Sequence, residues 1–308
     1  MKKSKIVIID SGINKDTEAG KCVKASYEIK KNPITMEWES VLEESIDTFG
    51  HGTAVSNIIY NVNPNIELIS VKIGDGEVDE SGLVYALTYI YRNIQADIIN
   101  ISAGITYIYN CNELLDICQK LYNNGVIIIS AFDNDGAISF PAAFDIVIGV
   151  DVYKEFKDKE KIILQKNSIV NLWVPDVHYR TIWIDKKTII KGTSFACAYI
   201  TGIISMKYHN MEKRNYENLL NAVSTETRVL PCVAKVPTFE HSPKKVIVFP
   251  LNKESNSLVR FSNDLSYEII GVFDEKLSGK VGQECFGYKV KSFDDIDWED
   301  DFDTIILS

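Results

Sequence analysis

The sequence contains no apolar run long enough to cross a membrane, and nothing at its start has the form of a signal peptide. Met1 to Ser4 leads directly into a short strand-like run, Ile6 to Ile9, which is shorter than the apolar segment of an export signal. We therefore predict a cytoplasmic protein that has no membrane partner.

Cysteine is sparse and follows no pattern. The six cysteines form no C-x-x-C pair and show none of the spacings typical of a zinc site or a disulfide framework. They predict reduced thiols, no metal site and no required cofactor. The positions are Cys22, Cys111, Cys118, Cys197, Cys232 and Cys285.

Basic residues are in deficit. The chain has 33 Lys and Arg against 43 Asp and Glu, which gives a formal net charge of −10. A protein of this charge repels nucleic acid and anionic lipid, but it is compatible with neutral or basic peptides. The sequence therefore argues against a nucleic-acid partner and favours a peptide or protein.

Strand-like and helix-like runs alternate along much of the chain. Ile66 to Ile73 is typical of a buried strand, and apolar residues recur at helical spacing from Leu83 to Ile94. This alternation predicts an α/β fold with a mostly parallel sheet and helices on both faces. Residues 14–48 and 151–190 lack this rhythm, and we expect irregular structure there.

An acid, an imidazole and a hydroxyl each stand at the junction of two expected elements. Asp10 ends a strand-like run, and functional groups of parallel sheets lie at that edge. His51 lies between two glycines before an amphipathic helix, and Ser194 lies between a glycine turn and an apolar helix. A nucleophilic serine needs a base to take its proton and a group to hold that base. These residues supply the chemistry for all three roles.

Each of these residues also has a structural interpretation. Asp10 would cap a turn, His51 would be a buried structural histidine, and Ser194 would cap the helix that follows it. Cys197, one helical turn beyond Ser194, offers a thiol nucleophile, although the packing of a small buried residue explains it as well.

The three motifs together resemble those of the subtilase family, the subtilisin-like serine peptidases. Asp10 lies in Ile-Asp-Ser-Gly, His51 in His-Gly-Thr and Ser194 in Gly-Thr-Ser-Phe-Ala, and their order along the chain is that of subtilisin. The resemblance covers roughly residues 4–225. It implies a subtilisin-like fold and a serine endopeptidase whose triad is Asp10, His51 and Ser194.

The same resemblance assigns further residues. Asn134 matches the family's side-chain donor to the oxyanion, and Ser102, Ala103 and Gly104 match its substrate-binding strand. The alternative for Asn134 is an ordinary turn residue. Departures from the family pattern, none of which removes a catalytic group, are Ala54, Asp133, Ala198 and Tyr199.

Acidic residues stand near the expected cleft. Glu77 and Asp79 lie in the loop that flanks the bound peptide in the family, and Asp133 precedes Asn134. We hypothesise that these carboxylates bind substrate and favour Lys or Arg near the scissile bond. The alternative is a solvated acidic loop on an acidic protein.

The start of the chain also suggests a physiological role. Secreted subtilases generally carry a prodomain, whereas the first catalytic strand here begins at residue 5. We expect a likeness to intracellular members, and limited processing of a precursor or leader peptide rather than bulk digestion. A catalytically silent peptide-binding module is the alternative. Calcium is frequent in the family, but the sequence assigns no ligands to it.

A second, smaller unit is predicted near the carboxyl terminus. We place a subtilisin-like domain at residues 1–228, a linker at 229–243 and a small α/β domain at 244–308. The small domain weakly resembles a Rossmann-like domain of some sugar acyltransferases through residues 269–274, but residues 249–254 replace the glycine-rich phosphate turn. We interpret it as a degenerate module that binds substrate or a partner protein. Nucleotide binding is the alternative.

Overall fold

In a computed structural model the chain forms two compact units, Met1–Cys232 and Val233–Ser308, and each is described by itself. The structure describes residues 2–42, 46–73, 78–106, 108, 111–153, 158–166, 168–209, 216–229, 245–260, 268–276, 278–296, 298 and 302–307.

Helices and strands alternate along the first unit, as the sequence predicts. Its described helices are α1 (His51–Val62), α2 (Glu80–Asn93), α3 (Cys111–Asn123), α4 (Thr193–Tyr208) and α5 (Tyr216–Val223). Its described strands are β1 (Ser4–Asp10), β2 (Val23–Lys31), β3 (Trp38–Leu42), β4 (Ile66–Ile73), β5 (Ile98–Ile101), β6 (Ile127–Ala131), β7 (Ile148–Tyr153), β8 (Ile163–Lys166), β9 (Leu172–Pro175), β10 (Tyr179–Trp183), β11 (Lys186–Ile190) and β12 (Glu226–Val229).

One large sheet organises the first unit. Ten strands run in the order β12-β8-β9-β7-β6-β5-β1-β4-β2-β3. Neighbouring strands are parallel except for the pairs β2–β3 and β8–β9. The predicted fold class is therefore confirmed. β1 is an interior strand, because it pairs with β4 on one side and β5 on the other. Its last residue, Asp10, therefore lies at the carboxyl ends of the strands, in the middle of the sheet.

Helices cover both faces of this sheet. Ile6 and Ile8 of β1 belong to one apolar core with α1, α4 and α5, whereas Val7 and Ile9 belong to the other with α2 and α3. Side chains of a strand alternate between faces, so a strand buried on both faces is apolar at successive positions. This double burial is why the sequence alone locates β1.

Two regions expected to be irregular contain strands. β2 and β3 lie within residues 14–48, and β8 to β11 lie within residues 151–190. β3 is an edge strand whose side chains are all at least partly exposed, and β10 pairs with β11 in a separate two-stranded sheet. Such strands carry no continuous apolar run, so the pattern that locates β1 and β4 does not find them.

The second unit contains a smaller sheet. Its described elements are β13 (Lys245–Phe249), α6 (Lys253–Arg260), β14 (Glu268–Asp274), β15 (Glu284–Cys285), β16 (Tyr288–Ser292) and β17 (Thr304–Leu307). The strand order is β15-β16-β14-β13-β17, and the pairs β13–β14, β14–β16 and β13–β17 are parallel. The likeness of this unit to an acyltransferase domain stays a prediction.

The junction between the units falls near the predicted linker, residues 229–243. β12 pairs with β8 through Val229, so the large sheet reaches the first residue of that segment. Residues 230–244 lie outside the described residues. Among the helices that the structure describes, none is both long and apolar enough to span a membrane.

The core assignment predicts the effect of truncating Ile8, which is 1% exposed. Ile8→Ala should lower the free energy of unfolding by about 2–5 kcal/mol, because it leaves a cavity in a packed core. Ile34→Ala is the control, since Ile34 is 89% exposed, and it should change the free energy by less than about 0.5 kcal/mol. Urea unfolding followed by circular dichroism measures both. Equal losses would contradict the assigned core.

Candidate active site

Asp10 is a buried acid at the carboxyl end of β1. Only 7% of the residue is exposed. The backbone N–H of Ser11 donates to Asp10 Oδ1 at 2.7 Å, which holds one carboxylate oxygen in a fixed direction. A buried carboxylate is costly unless its oxygens are hydrogen-bonded, so Asp10 needs partners around it.

His51 is the first residue of α1, and the flanking glycines allow it to approach Asp10. Gly50 has a φ of 100°, and a Cβ atom at this position would lie 2.6 Å from Trp183 Nε1. A Cβ on Gly52 would lie 2.2 Å from the carbonyl oxygen of Gly12. The start of α1 therefore packs against the segment after β1 more closely than any other residue type would allow.

The His51 imidazole and the Asp10 carboxylate lie within hydrogen-bond distance. His51 Nδ1 lies 2.8 Å from Asp10 Oδ1 and 2.9 Å from Asp10 Oδ2. With the proton on Nδ1, Nε2 has a lone pair that accepts a proton. The rings of Phe195 and Trp183 lie against the imidazole, with centroid distances of 5.3 and 6.1 Å.

The pKa of His51 is set by opposing effects. Burial lowers the pKa because an imidazolium is less favourable away from water, whereas the charge and hydrogen bond of Asp10, together with the charge of Asp47, raise it. The net direction is upward from the ordinary value. A general base must be neutral, so its function is lost as the pH falls through this raised pKa.

Ser194 lies in the first turn of α4 and is half-buried. Its Oγ donates to the carbonyl oxygen of Ser102 at 2.7 Å. Among the described residues no hydrogen bond joins Ser194 to His51. The hydroxyl must leave the Ser102 carbonyl before it can reach the imidazole, and catalytic hydrogen bonds commonly tighten only when substrate binds.

Asn134 lies beside the start of α4. Its Oδ1 accepts from the backbone N–H of Thr193 at 3.0 Å and from Thr193 Oγ1 at 3.1 Å. These contacts direct the amide oxygen toward the helix and leave Nδ2 as the end of the side chain that can donate to another group. Asn134 therefore lies beside the residue that precedes Ser194, and its Nδ2 group can donate a hydrogen bond.

Ser102, Ala103 and Gly104 follow directly after β5, which adjoins β1. Ser102 contacts α4 through its side chain as well, because its Oγ, which donates to Asn100 Oδ1 at 2.8 Å, also lies 3.3 Å from the carbonyl oxygen of Ser194. A Cβ on Gly104 would lie 2.8 Å from the side chain of Ser139, which is fully buried. No sequence pattern indicates Ser139, because its contact with Gly104 arises from a distant loop.

The acidic residues predicted to bind substrate have partners within the protein, and Lys31 Nζ donates to Asp79 Oδ2 at 3.2 Å. Asp79 caps α2 by accepting from the backbone N–H of Gly82 at 2.7 Å. Asp133 Oδ1 accepts from the backbone N–H of Asp135 at 2.9 Å. Glu77 lies outside the described residues. Substrate contact by Glu77, Asp79 and Asp133 stays a prediction.

Cys197 is fully buried in α4, and Asn100 Nδ2 donates to its sulfur at 3.3 Å. Burial raises the pKa of the thiol strongly, so the reactive thiolate is disfavoured. The packing interpretation of Cys197 therefore accounts for this residue better than the nucleophile alternative.

The sequence does not predict three residues that contact or act on the His51 imidazole. Trp183 comes from the hairpin β10–β11 and Phe195 from α4, and neither belongs to a motif that includes His51. Asp47 precedes His51 by four residues, and this spacing within a loop is the only sequence signal that it offers. Tertiary contacts, rather than sequence distance, bring these side chains to the base.

A metal site is not evident in the part of the chain that the structure describes, since no group of three or more His, Cys, Asp or Glu side chains there could hold an ion. Calcium dependence stays untested.

A profile of the subtilase family matches residues 1–231. The chain therefore belongs to the subtilase family.

Individual relatives are more distant. The chain is 30% identical over 171 residues to the minor extracellular protease Epr of Bacillus subtilis, a match that covers 50% of this chain and 24% of Epr. It is 25% identical over 215 residues to alkaline protease 1 of Aspergillus clavatus, covering 64% of this chain and 49% of that protein. The chain thus spans less than half the length of either relative. A cold-adapted subtilisin-like serine proteinase superposes with a TM-score of 0.55 at 21% identity, over 71% of this chain and 80% of that one, which shows a shared fold.

The raised pKa of His51 predicts the pH dependence of peptide cleavage. The acid limb of kcat/KM should have its midpoint above the pKa of a free histidine side chain, because neutral His51 is needed. A peptide substrate without ionisable side chains isolates the titration of the enzyme. A midpoint below that of free histidine would contradict the net upward shift.

Proposed function

We propose that this chain is a serine endopeptidase that uses Ser194 as nucleophile, His51 as general base and Asp10 as the acid that orients the base. The observation that carries this proposal is the distance of 2.8 Å between His51 Nδ1 and Asp10 Oδ1 at the carboxyl edge of the sheet. Membership of the subtilase family supports the same chemistry.

The catalytic cycle follows from these groups. Ser194 Oγ attacks the carbonyl carbon of a peptide bond, and His51 Nε2 takes the hydroxyl proton. His51 then gives that proton to the leaving amine, and water later releases the acyl group from Ser194 by the same route. Asp10 holds the Nδ1–H tautomer and stabilises the imidazolium that forms in each half of the cycle.

Two donors would stabilise the oxyanion of the tetrahedral intermediate. The backbone N–H of Ser194 belongs to the first turn of α4, where backbone amides lack helical partners and the helix dipole favours negative charge. Asn134 Nδ2 is the second donor, because Thr193 already occupies Oδ1. Removing one such donor costs about 10²–10³ in kcat, a value known for subtilisin rather than derived from this chain.

The proposed substrate is a peptide or protein that lies along Ser102, Ala103 and Gly104. Small side chains after β5 leave the main chain open to pair with an extended peptide. The negative charge of Asp133 supports a preference for basic side chains, whereas the charge of Asp79 already pairs with Lys31 at 3.2 Å. Limited processing of a precursor or leader peptide in the cytoplasm is the proposed physiological role.

A catalytically silent peptide-binding module is the second candidate. It is favoured by the hydrogen bond from Ser194 Oγ to the Ser102 carbonyl oxygen, because a hydroxyl that donates its one proton there does not donate it to His51. In such a module the groove would bind peptide without cleaving it.

Substitution of the nucleophile separates the two candidates. Ser194→Ala should lower kcat for peptide cleavage by about 10⁶-fold, the loss typical of subtilisin without its serine. Cys197→Ala is the matched control, and it should retain cleavage because the buried thiol takes no part. Mass spectrometry of a defined peptide pool measures the products. Wild-type protein that binds peptides but yields no products would favour the silent module.

Substrate profiling tests the finer proposal. A peptide library should show enrichment of Lys or Arg near the cleaved bond, and unfolded casein should be degraded slowly. Asp133→Asn should weaken the enrichment, because it removes a negative charge next to Asn134. Indifference to basic residues would discard the charge hypothesis, and rapid digestion of casein would count against limited processing.

A further inference from the structure

Asp47 is a buried acid that the catalytic scheme leaves without a role. It lies in the loop before α1, and only 2% of the residue is exposed. Oδ1 accepts from Ser11 Oγ at 2.9 Å, from the backbone N–H of Phe49 at 3.1 Å and from that of Gly50 at 2.7 Å. Oδ2 accepts from the backbone N–H of Thr53 at 2.9 Å and from Thr53 Oγ1 at 2.5 Å.

Most of these donors belong to the turn that presents His51. The first backbone N–H groups of a helix have no helical partner and need an acceptor. Gly50, the residue before α1, has no side chain that could accept from them. Asp47 replaces the missing cap from three residues upstream, so its carboxylate fixes the start of the helix.

The same carboxylate links this turn to the strand that carries Asp10. Ser11 Oγ donates to Asp47 and accepts from the backbone N–H of Gly52 at 3.0 Å. Thr53 Oγ1 donates to Asp47 and accepts from the backbone N–H of Asn14 at 3.0 Å. The hydroxyl groups of Ser11 and Thr53 thus link the segment that carries His51 to the segment that follows β1.

We propose that Asp47 is a positioning residue of the active site: its carboxylate holds the loop at residues 47–53 against the end of β1, so that His51 stays within hydrogen-bond distance of Asp10. This inference rests on the proposed peptidase function only for its kinetic readout. The geometry of the His51–Asp10 pair can be measured without catalysis.

An asparagine side chain at position 47 cannot accept all of these hydrogen bonds. Asn keeps one acceptor oxygen, but its NH₂ group would face the backbone N–H of Thr53, and two donors cannot pair. The turn must then shift, and a displacement of about 1 Å at a catalytic group costs on the order of 10²-fold in rate. Asp47→Asn removes the charge as well as the acceptor.

The charge of Asp47 gives a measurable effect that a purely structural role would not produce, namely a change in the pKa of His51. Of the described residues, Asp10 from β1 and Asp47 from the loop carry the charges that raise this pKa, and the Phe195 and Trp183 rings that contact the imidazole carry no charge. Lys72 of β4 lies beyond the loop, 3.5 Å from the carbonyl oxygen of Ile46. Because the Asp47 charge raises the pKa of His51, its removal should lower that pKa.

The test compares Asp47→Asn with Asp97→Asn in the full chain. Asp97 is the matched control, because its carboxylate accepts from the backbone N–H of Lys5 at 2.9 Å at the opposite end of β1. Asp47→Asn should lower kcat by about 10–100-fold with little change in KM, and should move the acid limb of kcat/KM to lower pH. Asp97→Asn should leave both unchanged. A folded Asp47→Asn protein with wild-type kcat and acid limb would overturn the proposal.

A second variant and a second measurement cover the remaining outcomes. Ser11→Ala removes one bridge and should produce a smaller loss of kcat in the same direction, so it serves if Asp47→Asn fails to fold. Proton NMR of the His51 Nδ1–H resonance reports the bond to Asp10 directly, and the resonance should weaken in either variant. If the wild-type chain cleaves nothing, the peptidase proposal fails, while an unchanged resonance in both variants would separately overturn the role of Asp47.

Discussion

The site depends on one close approach between main-chain segments. The start of α1 packs so tightly against the end of β1 that a side chain on Gly52 would lie 2.2 Å from the Gly12 carbonyl oxygen. This contact sets the separation of Asp10 and His51, which come from elements 41 residues apart in the sequence. Every later step of the proposed chemistry needs that separation, because the tautomer of His51 follows from it.

The parallel sheet determines where Ser102 and Ser194 lie relative to Asp10. β1 and β5 are neighbours, so Asp10 and Ser102 emerge at the same edge. Ser102 in turn contacts Ser194 through both its carbonyl oxygen and its hydroxyl. Ser194, the proposed nucleophile, therefore contacts the residue that follows the strand beside β1, whereas His51, the proposed base, is carried by helix α1 on one face of the sheet.

The sequence predicted the parts of the molecule that short-range patterns specify. β1 and β4 are buried on both faces and read as apolar runs, and the motifs around Asp10, His51 and Ser194 are local. The strands β2 and β3 were missed because half-exposed strands near a sheet edge carry a weak pattern. Trp183 could not be predicted, since its place beside His51 follows from a hairpin more than a hundred residues away in the chain. The direction of the Ser194 hydroxyl is equally a product of tertiary structure.

The proposed triad is tested most directly by mass-spectrometric mapping of a fluorophosphonate adduct on the intact chain. This reagent modifies a serine only when an adjacent base activates it. We expect a single adduct on Ser194 in the wild-type protein and its loss in His51→Ala. Absence of an adduct on folded wild-type protein, or an adduct on a residue other than Ser194, would contradict this expectation.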